Sequence, residues 1–273
     1  DSSSDDGTAA EVAKHPTVGL VTIDRSEFNH GSTRDKALRR TTGDFVCFLT
    51  QDALPASDDY LGNLLAPMLA DDRIALVSGR QLPKPDARRF EQLVLGFNYP
   101  AKPSVRSKGD LPTYGIKTFF ASDVCSAYRR GAYLACGGFP HVDTNEEMLM
   151  AARLIARGLE VAYEPSAEVY HSHNLAPSQQ YARNKAVGRF LKEHVDDLMD
   201  TSEVGEGERL VKSVASELLH EGRMGELCAF GIDCVARLLG NRAGRMSARK
   251  IMKGNDEHRE GIFPAMSRRS DGA

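Results

Sequence analysis

What this chain lacks narrows its chemistry before any motif is read. The five cysteines, Cys47, Cys125, Cys136, Cys228 and Cys234, are odd in number and contain no Cys-x-x-Cys pair. That pattern favours reduced thiols over a disulfide framework or a closed zinc site. No apolar stretch reaches the roughly 18 residues needed to span a bilayer, and no signal peptide opens the chain. The expected setting is therefore cytoplasmic, soluble or peripheral to a membrane. A basic excess is also missing: the formal net charge is -3, which gives no global positive field and argues against nucleic acid as a partner. No internal repeat is visible. What remains is a globular composition, 41% hydrophobic and 27% charged over 273 residues, able to bury a core in one large domain or one domain with an appended module.

The pattern along the chain alternates short apolar runs with helical periods. DSSSDDGT offers Ser and Asp oxygens as helix N-caps and Gly7 as a bend, ahead of a short helical pattern. Val18 to Ile23 (VGLVTI), Phe45 to Thr50 (FVCFLT) and Ile74 to Gly79 (IALVSG) read as strands. Helices are expected after SEFNHGSTRD and near Tyr60 to Ala70. The Pro-rich, polar stretch from Arg80 to Lys117 reads as a long functional or partly mobile loop. FFASDVCSAYRRGAYLACGGFP predicts strand, turn and a helix ended by Gly137-Gly138. Met148, Ala151, Ala152, Ile155 and Ala156 recur at helical spacing before Gly158, and LEVAYEPSAEVYHSHN reads as a strand. Beyond Gln179 the chain reads as helical and polar, with its closing GNDEHREGIFPAMSRRSDGA poorly ordered. The whole is an α/β layered fold with a mainly parallel sheet.

Open α/β sheets bind ligands outside the carboxyl ends of their strands. Three groups of chemically capable residues fall there: Asp1, Ser3 and Asp5 before the first helix; Gln51-Asp52 after FVCFLT; and His171-Ser172-His173 after the strand ending at Tyr170. Carboxylate oxygen with imidazole suits Mg²⁺ or Mn²⁺ bridged to phosphate. Each group also has a plainer reading. An Asp after a strand commonly caps a turn or helix. His171 and His173 alternate along a strand, so at most one should face a given site. Glu146-Glu147 at a helix start complement the helix dipole.

The order of the motifs favours chemistry. FNHGSTRD, FLTQDALP, VSGRQLP, CSAYRRGAYLACGGFP, NEEMLMAARLIARGLEVAYEP and AEVYHSHN together resemble family-2 glycosyltransferases of the GT-A fold, in particular bacterial rhamnosyltransferase-like members, over residues 1–195. The resemblance implies a GT-A-like mainly parallel sheet with flanking helices in 1–195. The first strand, first helix and most of the second strand would precede Asp1, and a helical C-terminal extension would occupy 196–273. It implies Asp52 as metal ligand in the place of the Asp-x-Asp motif, with Gln51 beside it, and His171 completing the metal site with His173 as the less favoured choice. Glu147 would be the general base, Glu146 its paired acid. Asp1, Ser3 and Asp5 would lie near the nucleotide base and ribose, and the Gly31 backbone and Arg34 near the diphosphate.

The implied chemistry is inverting transfer of a sugar from a nucleotide donor, plausibly dTDP-rhamnose, to a saccharide or lipid-linked saccharide, with Mg or Mn as cofactor. Family members carry Glu-Asp where this chain has Glu146-Glu147, a change that moves a carboxylate by about 1 Å. A non-catalytic saccharide-binding domain and a nucleotidyltransferase are the rival readings. Arg88, Arg89, Tyr99 and Tyr114 are acceptor-side candidates. Val211 to Leu239, with Lys212, Arg223, Arg237 and Arg242 among or beside its apolar positions, reads either as a surface lying on the inner face of the plasma membrane or as a helix pair packed on the catalytic domain.

Overall fold

The computed structural model describes residues 1–199 and 205–255, with side chains up to residue 248. Six strands form one sheet: β1 (Phe45–Leu49), β2 (Leu54–Pro55), β3 (Ile74–Leu82), β4 (Ser104–Arg106), β5 (Cys125–Arg129) and β6 (Glu160–Tyr170). The order is β1-β5-β3-β6-β2, and β4 also pairs with β6. β1, β3 and β6, which carry most of the sheet's residues, run in one direction, joined by a parallel β3–β6 ladder. β5, β2 and β4 run the other way. The α/β layering expected from the sequence is present, in a mixed sheet.

Side-chain alternation along the central strands fills both faces. Leu76, Tyr128 and Val161 point into one core, while Val77, Ala127 and Ala162 point into the other. The first core is covered by α7 (Glu146–Ala156), whose Leu149, Met150, Leu154 and Ile155 are buried at helical spacing. The second is covered by α3 (Tyr60–Ala70) through Tyr60, Leu64 and Met68. Around them lie α1 (Thr8–Val12), α2 (His30–Arg39), α4 (Arg89–Asn98), α5 (Leu111–Tyr114) and α6 (Arg130–Ala135). The C-terminal part consists of α8 (Pro177–Glu193), α9 (Glu206–His220) and α10 (Met224–Asn255). A third core, Phe90, Val94, Val214, Leu218 and Phe230, joins α4 to α9 and α10.

One irregularity positions the site. Gly79 pairs with Glu164, but the next residue, Arg80, pairs with Glu168, so residues 165–167 of β6 bulge out of the ladder. A side chain at Gly79 would collide with the Ala167 carbonyl oxygen. Beyond the bulge, Leu82 aligns with Tyr170, and His171 N–H still donates to the Leu82 carbonyl at 2.9 Å.

Two expectations fail here. VGLVTI is not a strand: Val18, Leu20 and Val21 are exposed, and its backbone pairs only with the chain start, through Asp1 N to Val21 O at 2.8 Å and Ile23 N to Asp1 O at 2.9 Å. β propensity forms a strand only where a neighbouring ladder and an apolar face receive it. The Arg80–Lys117 stretch is not a loop either. It carries the end of β3, α4, β4 and α5, because its spaced Phe90, Val94 and Leu95 bury an amphipathic helix face. The expectation of disorder at the chain's end falls on residues outside those described.

α8 and α10 cross so closely that a side chain at Gly244 would collide with the Lys185 carbonyl. Gly244→Leu should cost about 1–3 kcal/mol through overpacking. Gly225→Ala in the same helix, where an added Cβ meets nothing, should be neutral or stabilising. Urea unfolding of both variants checks this.

Candidate active site

β1 ends at Leu49 and the chain turns at once, with Ala53 N–H donating to Thr50 O at 3.0 Å. Asp52 therefore sits at the edge where β1 and β3 finish. β6 brings His171 to the same edge. After Tyr170 the chain leaves strand geometry, Ser172 Oγ accepts from Lys84 N–H at 2.9 Å, and His173 folds back. Asp52 Oδ2 lies 3.4 Å from His171 Nε2 and 3.2 Å from His173 Nε2, and the two Nε2 atoms are 3.1 Å apart. The expectation that only one histidine faces the site is corrected: strand alternation stops at Tyr170, so it no longer separates positions 171 and 173.

Gln81 fixes the first of these rings. Its Nε2 donates to the Tyr99 hydroxyl at 2.7 Å and the Ser122 hydroxyl at 2.9 Å, leaving Oε1 to accept from His171 Nδ1–H at 2.8 Å. The His171 lone pair is thereby placed on Nε2, toward Asp52. Such an outer partner is what orients a metal-ligating imidazole. Burial pushes the His171 pKa down to about 4 despite the opposing Asp52 charge, so the ring is neutral at neutral pH. One carboxylate and two imidazole nitrogens, all within 4.8 Å of one another, fit a divalent cation of the Mg or Mn type.

A second cluster contains Asp123, Glu146 and Glu147, again with ligand atoms within 4.8 Å. It already holds a cation. The Arg34 guanidinium donates to Glu146 Oε1, and its Nε lies 4.0 Å from Asp123 Oδ2. Asp123 Oδ1 accepts from the Ser126 and Tyr128 hydroxyls, each at 2.7 Å, while Oδ2 is buried without a hydrogen bond. Burial pushes the Asp123 pKa up to about 6, with Arg34 opposing. Glu147 keeps partial solvent contact, yet the low-water setting of its carboxyl, followed by the charges of Glu146 and Asp123, raises its proton affinity well above the usual glutamate range.

Three elements deliver these groups. Asn29 caps α2, with its Oδ1 accepting from Ser32 N–H at 3.1 Å and its Nδ2 donating to Val142 O at 2.9 Å. Gly31 lets α2 approach: a side chain there would collide with the Pro140 carbonyl and touch Glu146 Cβ. α7 starts from Asn145 in the left-handed conformation, φ 61 and ψ 30, a strained backbone of the kind found beside functional groups.

The clusters adjoin. Ser122 touches Gln81 of the first, and Asp123, one residue on, belongs to the second, so about 3.8 Å of backbone separates their Cα atoms. Tyr99 spans them as well. Its pKa is pushed up to about 12, first by burial and in small part by the Glu147 charge.

The other expected donor residues are engaged differently. Asp1, Ser3 and Asp5 tie the N-terminal segment to residues 21–25: Ser3 Oγ donates to Ile23 O at 2.8 Å, Arg25 donates to Ser3 O at 3.1 Å, and Arg25 lies 3.8 Å from Asp5. Gln51 is exposed. Gly31 and Arg34, expected at the diphosphate, serve the acid cluster. Of the acceptor-side candidates, Tyr99 holds Gln81, Arg88 donates to Leu175 O at 2.8 Å, Arg89 pairs with Glu221, and Tyr114 is exposed. Gln81, Ser122 and Asp123 were missed. The search was limited to the carboxyl ends of strands, and β5 runs opposite to β1 and β3, so its start reaches the edge where they end.

A layered α/β sheet with a carboxylate–imidazole trio and a buried acid pair at one edge defines the class: a GT-A-type glycosyltransferase. The profile of Glycosyl transferase family 2 matches residues 1–136. An O-antigen chain rhamnosyltransferase of Salmonella anatum is 42% identical over 222 residues, covering 80% of this chain and 70% of that protein. Another, from Salmonella typhimurium, is 41% identical over 192 residues, 70% of this chain and 61% of that protein. The fold of a Pyrobaculum calidifontis mannosyltransferase, solved with GDP-Man and Mn²⁺, matches with a TM-score of 0.51 at 19% identity, over 93% of this chain and 68% of that one. The chain belongs to glycosyl transferase family 2.

Asp123 should leave a signature in stability. Its folded pKa of about 6 lies above the ordinary 3.8, so the proton is held more tightly in the folded state. Its contribution is complete below the ordinary value and is lost as pH rises through about 6. Asp123→Asn should flatten the fall in unfolding free energy across that window. Urea titrations at a series of pH values, wild type against variant, test the slope.

Proposed function

We propose that this chain transfers rhamnose, or a closely similar sugar, from a nucleotide-diphosphate donor to a hydroxyl of a saccharide or lipid-linked saccharide, with inversion. The observation that carries this reading is the adjacency of the Asp52–His171–His173 trio to the acid pair Glu146-Glu147. The identity to O-antigen rhamnosyltransferases supports the choice of sugar and of a surface-polysaccharide acceptor; dTDP-rhamnose is the donor proposed.

Asp52, His171 and His173 would hold a Mg or Mn ion, the species that offsets charge on a leaving diphosphate. The neutral His171 ring, with its proton fixed on Nδ1 by Gln81, needs no deprotonation to serve. Glu147 takes the acceptor hydroxyl proton as that oxygen forms a bond to the anomeric carbon. The bond from that carbon to the diphosphate oxygen breaks on the opposite face, and the electron pair leaves with the diphosphate. A raised proton affinity makes Glu147 a stronger base than an ordinary carboxylate. Glu146, bound to Arg34, positions the pair instead of taking the proton. Asp1, Ser3, Asp5 and Gln51 are retained as the donor's nucleotide-side residues in this proposal.

Among the described residues no helix is long and apolar enough to cross a membrane. α10 nevertheless exposes Ile232, Val235, Leu239 and Met246 at spacings of one helix face. We assign this stripe to peripheral contact with the inner membrane surface, where a lipid-linked acceptor would lie.

Glu147→Gln should lower kcat by about 10²- to 10⁴-fold and leave donor affinity near wild type; unchanged turnover removes Glu147 from the role. Asp52→Asn should abolish the Mn²⁺-dependent part of donor binding in calorimetry, and an undiminished metal effect refutes the ligand assignment. For the membrane face, Ile232→Glu/Leu239→Glu should reduce co-sedimentation with anionic vesicles several-fold at unchanged solution turnover. Equal sedimentation of wild type and variant rejects that contact.

A further inference from the structure

A cavity of about 470 Å³ lies beside β4, away from both clusters. Its walls include the rings of Phe97, Tyr114, Phe120 and Tyr163, with Lys102 and Arg106 among the polar lining. Tyr99 stands behind it, stacked on Phe120 at 5.6 Å and Tyr163 at 6.5 Å between ring centroids. Asn98 lines both this cavity and the neighbouring one that contains His171 and His173.

Arg106 is the unusual member. It is 7% exposed, and its Nη1 donates to the Lys117 carbonyl at 2.7 Å. Its Nε and Nη2 are buried with no acceptor among the described residues. Those two N–H groups form the side edge of the guanidinium, the parallel fork that takes a carboxylate or phosphate through two hydrogen bonds. The nearby acid does not fill it: Asp110 accepts from Ser107 N–H at 2.8 Å and Ser107 Oγ at 2.9 Å. The second lysine of the lining, Lys117, is paired with Glu206 and lies 5.2 Å from the Phe97 ring centroid. Burial pulls the Arg106 pKa down to about 10, with Asp110 opposing, so the group stays charged at neutral pH. A buried, charged donor pair with no acceptor is costly to leave unmade.

We propose that this cavity binds a phosphate monoester, with its oxyanion on the Arg106 fork and its organic body against the Tyr114, Phe120 and Tyr163 rings. A bare ion would leave most of the cavity and its aromatic walls unused, so the organic body is part of the recognition. A sugar phosphate and a polyprenyl phosphate share this chemistry. The site is independent of which sugar the catalytic edge transfers.

Calorimetry on the full chain, with EDTA present to keep metal-dependent donor binding silent, compares inorganic phosphate, glucose 1-phosphate and geranyl phosphate with glucose and geraniol. At least one organic phosphate should bind well above its uncharged counterpart and above inorganic phosphate. Preference for geranyl phosphate points to a lipid carrier, and preference for glucose 1-phosphate to a sugar phosphate. Arg106→Lys keeps the charge but loses the fork, and should weaken the organic phosphate about 10- to 100-fold. Tyr114→Ala, at an exposed residue whose loss leaves the fold intact, should weaken the same ligand several-fold without touching weak inorganic phosphate binding. Should Arg106→Lys not fold, the Tyr114 variant and the comparison of charged with uncharged ligands decide. Equal binding of phosphates and neutral analogues, no binding at millimolar ligand, or Arg106→Lys and Tyr114→Ala proteins that both bind like wild type would each overturn the proposal.

Discussion

Three carboxyl groups share one buried guanidinium, and much of the catalytic edge is arranged around that imbalance. With Asp123, Glu146 and Glu147 all ionised, Arg34 would cancel only part of the charge in a region with little water. Like charges in such a setting are relieved by keeping a proton, which is why Asp123 and Glu147 both bind theirs more tightly than usual. The elements that meet here come from distant parts of the chain. α2 brings Arg34 and is allowed close by Gly31. β5 begins at Asp123, whose free hydrogen-bonding capacity is met on one oxygen by Ser126 and Tyr128. α7 begins at a left-handed Asn145. Removing any one contact would leave buried charge without its counterpart, so the cluster is a fold constraint as much as a chemical one.

The neighbouring edge is built by a different device, a relay of neutral hydrogen bonds. Tyr99 and Ser122 hold the Gln81 amide, Gln81 holds His171, and His171 faces Asp52 together with His173. The relay depends on the β6 bulge opposite Gly79, which resets the ladder so that Leu82 pairs with Tyr170 and Gln81 stands beside His171. Without the reset, the β6 exit would meet β3 at another register. The two halves of the edge thus have opposite electrostatics. One is acid-rich and carries its own arginine, and the other is a set of acceptors around a neutral ring suited to an added cation. Their separation by a single step along the backbone, Ser122 to Asp123, is what brings metal-type and base-type chemistry within reach of one substrate.

Much of this was legible in the sequence where the signal was local. Apolar spacing marked α3 and α7 to within a residue or two. The turn after FVCFLT marked Asp52, and the paired acids marked the start of α7. The ordered motifs pointed to the family. The failures share one cause: each needed knowledge of a neighbour. VGLVTI has strand composition, but the described structure offers its backbone little more than Asp1. The polar Arg80–Lys117 stretch forms α4 and β4 because α9, α10 and β6 receive their apolar faces. His173 enters the site because strand geometry ends at Tyr170, and Asp123 escaped notice because β5 is reversed.

The sequence by itself determined which chemical groups were available and most of the helices and strands that carry them, since hydrophobic period and turn residues act over a few positions. Tertiary structure alone decided that Arg34 serves carboxylates instead of a diphosphate, that both histidines face Asp52, and that Arg106 keeps an unused fork beside an aromatic cavity. These are properties of charge and dehydration between residues far apart in the chain, and burial of that kind exists only once the layers have closed.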